Sequence, residues 1–67
     1  MIYIDSPRFK RKNGRVKYAH MTADSIEELH EFAIRCGIPR HWFEYSRSGI
    51  PHYDLNPKYY KIAKENL

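Results

Sequence analysis

The sequence has one cysteine, three glycines and no apolar run long enough to span a bilayer. A single cysteine excludes an internal disulfide and any CxxC-type zinc or redox motif, and it suits a reducing compartment. With so few glycines there is no Gly-rich loop to cradle a phosphate and no nucleophile elbow. The HExxH motif is missing too, as is any closely spaced histidine pair on one helix. The opening MIYID has no basic segment ahead of an apolar one, so neither a secretory leader nor a membrane anchor is expected, and the chain reads as cytoplasmic. Sixty-seven residues make one domain, residues 1–67, which buries only about 60% of its unfolded surface.

What the chain has in quantity is aromatic side chains, ten of them, together with four histidines and twelve lysines and arginines. Its best-signalled segment is residues 22–43, TADSIEELHEFAIRCGIPRHWF. Asp24 or Ser25 can cap a helix there, with Glu27 or Glu28 three residues later completing a capping box. Ile26, Leu29, Ala33 and Cys36 then share a face at spacings of three and four, with Phe32 on its flank, so this face is expected to be buried. Gly37 ends the helix as a left-handed cap, and Pro39 opens a short turn carrying Trp42 and Phe43 as a plug for the core. Cys36, on the apolar face, reads as a small core group and not a reactive thiol.

Ile2-Tyr3-Ile4 reads as a strand. Asn13-Gly14 is the preferred pair for a tight hairpin turn, and its register sets Phe9 opposite Tyr18 and Lys10 opposite Lys17. One face of this ribbon then receives Phe9, Arg11, Val16, Tyr18 and His20 and is expected to pack. The other receives Arg8, Lys10, Lys12, Arg15 and Lys17. Residues 8–17 hold six bases and no acid, so six bases face eight acids in the rest of the chain and all the excess positive charge is in the ribbon. Such a strip with tyrosine and phenylalanine nearby attracts phosphate-bearing partners, or serves only to keep sheet edges apart.

Residues 44–49 are polar and read as a loop. Residues 50–55, IPHYDL, form a short strand that Pro51 places at a sheet edge or limits in its pairing. Alternation sends His52 and Asp54 to one side and Tyr53 and Leu55 to the other. Asn56 and Pro57 then start a final helix whose apolar surface is Tyr59, Tyr60, Ile62, Ala63 and Leu67. If the late strand pairs near the ribbon, His20, His52 and Asp54 converge with His30 below them, giving a histidine and carboxylate site for a metal or for acid–base chemistry. Asp5, at the end of a strand, is either a turn-forming acid or a fourth member of that site.

The fold expected is therefore α+β: a small, largely antiparallel sheet of N-terminal strand, basic hairpin and late short strand, packed on the central helix, with the C-terminal helix at its edge. The segments YID, HMTAD, ELHEFA, GI, WF and PHYD together resemble a small bacterial and phage domain family of unknown function, the one numbered 4031. The resemblance runs over nearly the whole chain and implies its boundaries and a bacterial or phage origin, but no activity. Three functions stay open. The leading expectation is a non-catalytic protein that binds a phosphate-bearing ligand, a nucleotide signal or nucleic acid, through Arg8, Lys10, Lys12, Arg15, Lys17, His20, His52 and Tyr53, without a cofactor. In a phage setting such a protein would sequester a host nucleotide. The alternative is a hydrolase or nuclease that uses a divalent metal with Asp5, His20, His52 and Asp54. The third is a partner-binding module without ligand. No membrane partner is expected, and a homo-oligomer is compatible with the sequence.

Overall fold

The computed structural model describes residues 1–5 and 18–67. The basic hairpin expected between Arg8 and Lys17, with Arg8, Lys10, Lys12, Arg15 and Lys17 on its outer strip, lies outside the described residues.

In chain order the elements are β1 (Ile2–Ile4), β2 (Ala19–Ala23), α1 (Ile26–Cys36), a 3-10 turn (Arg40–Trp42), β3 (Phe43–Tyr45), β4 (Pro51–Leu55) and α2 (Pro57–Asn66). Among the described residues the strands form one antiparallel sheet in the order β1-β2-β4-β3. Helix α1 packs across β1 and β2, while α2 packs against β4 and α1, so both helices cover the same face. The fold is α+β. No described helix is long and apolar enough to cross a membrane.

Local chemistry accounts for the helix ends. Ser25 is the cap of α1, its Oγ accepting from Glu28 N–H at 3.1 Å. Asp24, the other candidate cap, instead takes the Met1 amine at 3.0 Å and the Tyr3 hydroxyl at 2.9 Å, and Glu28 also meets that amine. The hydrogen bonds of Glu28 and then Asp24 raise the amine above its usual pKa, and the amine holds Asp24 below its own. Gly37 closes α1 at φ 74°, a left-handed conformation in which glycine has no Cβ penalty, with Ile38 N–H returning to Ala33 O at 2.9 Å. Asn56 Oδ1 accepts from Tyr59 N–H at 2.9 Å, and Pro57 takes the first position of α2.

The core is the layer between sheet and helices: Ala19, Met21, Tyr53 and Leu55 from the sheet against Leu29, Phe32, Ala33, Cys36 and Ala63. Burial raises the Cys36 thiol pKa, leaving it an unreactive packing group. Three expectations are corrected and one alternative is decided. Phe43–Tyr45 forms an edge strand where residues 44–49 had read as loop, and the turn is confined to its end, where Ser46 and Ile50 bond across it. β4 is interior, not at an edge; of the two outcomes expected from Pro51 the limited pairing is the one found, since Pro51 is the first residue of β4 and β2 pairs with it only from Tyr53 to Leu55. Ile26 is 38% exposed, so Phe32 and not Ile26 shares the buried face of α1 with Leu29, Ala33 and Cys36. Tyr18 and His20 lie on the open side of the sheet, since Ala19 and Met21, both fully buried, supply the packed side of β2.

Candidate metal centre

Strand periodicity gives the sheet a second, polar face. With Met21, Tyr53 and Leu55 turned to the helices, their neighbours His20, Thr22, His52 and Asp54 point the other way. His20 is directly opposite Asp54 across the β2–β4 pair, and Glu44 is opposite His52 across the β3–β4 pair. Two interior strands thus bring two histidines and one aspartate together. His52 and Asp54 come from one strand by alternation, and His20 is added by pairing between segments more than thirty residues apart.

Hydrogen bonds fix the imidazoles. Asp5 accepts twice from His20, at Oδ1 from the backbone N–H and at Oδ2 from Nδ1, each at 2.8 Å. His52 Nδ1 donates to Ile50 O at 3.1 Å. An ionised carboxylate and a backbone carbonyl can only accept, so both rings carry their proton on Nδ1. In the neutral rings Nε2 is then a bare lone pair. Both of these nitrogens approach Asp54 Oδ1, at 3.5 Å from His20 and 3.4 Å from His52. Those distances are too long for well-formed hydrogen bonds, and Asp54 Oδ1 is buried without a hydrogen-bond partner. With both rings neutral, three acceptors converge with no donor between them.

A cation resolves that frustration. The three ligand atoms lie within 4.8 Å of one another. Ligands about 2.0–2.1 Å from a tetrahedral zinc ion are about 3.3–3.4 Å apart, which two of the three edges here already match. Asp5 and Ile50 O supply the outer hydrogen bonds that metal-ligating histidines usually have, orienting each ring and setting its tautomer. His20 also stands edge-on to His52, ring centroids 5.4 Å apart, and shields it. As ligands to one ion, these three side chains would leave positions open for water or substrate.

The family model described as "Protein of unknown function (DUF4031)" matches residues 2–65. The chain belongs to this family. No curated protein and no solved structure matches it. The matched span of this DUF4031 member takes in Asp5, His20, His52 and Asp54.

The other residues expected at the site are placed elsewhere. Tyr53 is fully buried on the helix side of β4, hydrogen-bonded at 2.8 Å to His30 Nδ1, so its ring cannot stack on a ligand beside His52. His30 belongs to that core contact, edge-on to Phe43 at 4.6 Å, and lies across the sheet from His20 and His52. Burial, and secondarily Arg40, holds the His30 pKa below the usual histidine value, and burial raises that of Tyr53. Asp5 holds His20 from behind. Glu44 was not foreseen, because a three-residue edge strand inside a polar stretch has no periodicity to reveal which side its middle residue faces.

Proposed function

We propose that this protein is a metal-dependent hydrolase of phosphate esters, of the nuclease or nucleotide-hydrolase type, with His20, His52 and Asp54 as metal ligands. The observation that carries the reading is Asp54 Oδ1, buried without a hydrogen-bond partner and facing two imidazole nitrogens whose protons, in the neutral rings, are held on the far side. A divalent ion held there would act as a Lewis acid toward a phosphoryl oxygen and would make bound water acidic enough to serve as hydroxide near neutral pH. Asp5 keeps His20 in its ligating tautomer, and the Ile50 carbonyl does the same for His52. Glu44, on the same face one strand away, takes the proton of the attacking water. The water oxygen bonds to phosphorus as the bond to the leaving oxygen breaks, and the leaving oxygen takes up the proton that Glu44 accepted. The six bases of residues 8–17, which lead into β2, favour polyanionic substrates. The buried single cysteine suits a cytoplasmic setting.

The test is cleavage of a chromogenic phosphodiester by protein purified without a histidine tag, with zinc, manganese or magnesium added after chelation. Activity should require metal and be lost in His52→Ala and Asp54→Ala. Metal-independent turnover, or turnover unchanged in both variants, contradicts the reading. A second, non-catalytic reading is favoured by the density of basic residues next to β2, which suits retention of a phosphate-bearing ligand. Under it the metal-loaded protein binds nucleotides or nucleic acid without cleaving them.

A further inference from the structure

Beside the three ligands, a cleft runs along the open face, lined by Tyr18, His41, Trp42, Glu44, Asp54 and Asn56. Asp54, shared with the candidate metal site, and Glu44 are its acidic lining. Two aromatic rings also line it: Tyr18, 54% exposed, and Trp42, half-buried and steadied edge-on by Tyr59 at 5.2 Å. Asn56 Oδ1 is engaged as the cap of α2, which directs its role in the cleft to the Nδ2 donors. His41 adds a group that donates or accepts. Aromatic walls with a few polar groups, next to a candidate metal site, match a planar heterocycle attached to a phosphate.

We propose that this cleft receives the unpaired base of a nucleoside phosphate, stacked by Tyr18 and Trp42 and hydrogen-bonded by Asn56 and His41, while the phosphate reaches the metal centre. The proposal rests on the metal reading for its phosphate end only. A base engaged in a duplex has its faces covered by neighbouring bases, so the ligand is a mononucleotide or a single strand. Stacking also explains why an exposed tyrosine and the sole tryptophan line the same cleft, since aromatic platforms accept any base.

Trp42 is the only tryptophan, so its fluorescence reports on the cleft alone. Zinc-loaded protein would be titrated with a nucleoside 5′-monophosphate, ribose 5-phosphate, a short single strand and the matching duplex, with zinc affinity measured separately by calorimetry. Saturable quenching by the mononucleotide or the single strand is expected, and which of them binds more tightly identifies the source. Ribose 5-phosphate and duplex should leave the fluorescence unchanged. Tyr18→Ala, an exposed position with little effect on folding, should weaken nucleotide binding roughly 5- to 150-fold, the loss that removing one base–aromatic stack brings. Equal affinity for ribose 5-phosphate and the nucleotide, or unchanged binding by Tyr18→Ala, overturns the cleft proposal even if zinc binds one per chain. Quenching that persists without zinc supports the cleft even if zinc binding itself fails.

Discussion

Replacing Asp5 by Asn isolates the role of a residue one hydrogen bond removed from the proposed metal site. The Asp5 carboxylate accepts from both His20 N–H and His20 Nδ1–H, each at 2.8 Å. An amide has one oxygen and one NH2. If the oxygen stays on the backbone N–H, the NH2 faces Nδ1, which must then accept, and the ring proton moves to Nε2 where it blocks ligation. If the amide flips, two donors oppose each other at the backbone. Either outcome should lower zinc affinity about 10- to 100-fold, as loss of an outer hydrogen bond to a ligating histidine does, or about 1.4–2.8 kcal/mol. Asp5→Ala, which leaves the tautomer free, should lose less than Asp5→Asn. Isothermal titration of both variants and the parent with zinc measures this. Melting in a chelator should change little, because the Asp5 and His20 side chains are 52% and 56% exposed. Zinc affinity within threefold of the parent for Asp5→Asn, or a larger loss for Ala than for Asn, refutes the tautomer argument.

Leu29 is 1% exposed, so Leu29→Ala should cost about 2–5 kcal/mol, and a thermal melt with an unchanged midpoint would show that the buried face of α1 is misassigned. The pKa of His30 is lowered from an ordinary value of 6.5 by burial, so below that value the unfolded chain takes up the proton first. Stability should therefore fall as pH drops from 6.5 toward the lowered pKa. Comparing urea midpoints at pH 7 and pH 5, His30→Gln should show a smaller drop than the parent; an equal drop assigns the acid sensitivity elsewhere. Reversing Lys10, Lys12 and Lys17 to Glu should flatten the salt dependence of polyanion binding, by about 0.7 per lost contact for single strands and 0.9 for duplexes on a log–log plot. An unchanged slope would leave those cations as a solubility device.

Helix ends were legible in the sequence because the capping chemistry is local: Ser25, Gly37 and Asn56-Pro57 act within a turn of where they stand. Alternation likewise placed His52 and Asp54 on one face. What local pattern could not supply was which strands become neighbours. Strands of three to five residues carry too little periodicity to specify the order β1-β2-β4-β3. Hence His20 could be linked to Asp54 only conditionally, and the ribbon face bearing Tyr18 and His20 was assigned to the core. Tyr53 shows the same limit from the other side. It was expected among the ligand-binding residues with His52, yet on the sheet's inner face its hydroxyl meets His30, a partner twenty-three residues away. Asp5 was visible as an acid at a strand end, but its role as the holder of His20 depends on β1 and β2 pairing.

The central claim is that His20 and His52 present unprotonated Nε2 atoms, with Asp54, to one cation. Nitrogen-15 NMR of the imidazole rings during zinc titration tests it at the atoms concerned. Saturating zinc should shift the Nε2 resonances of His20 and His52 together at one equivalent, leave their Nδ1 atoms protonated, and leave His30 and His41 unperturbed. Zinc that shifts none of the four rings, or shifts His41 and His30 as much as His20 and His52, would contradict it.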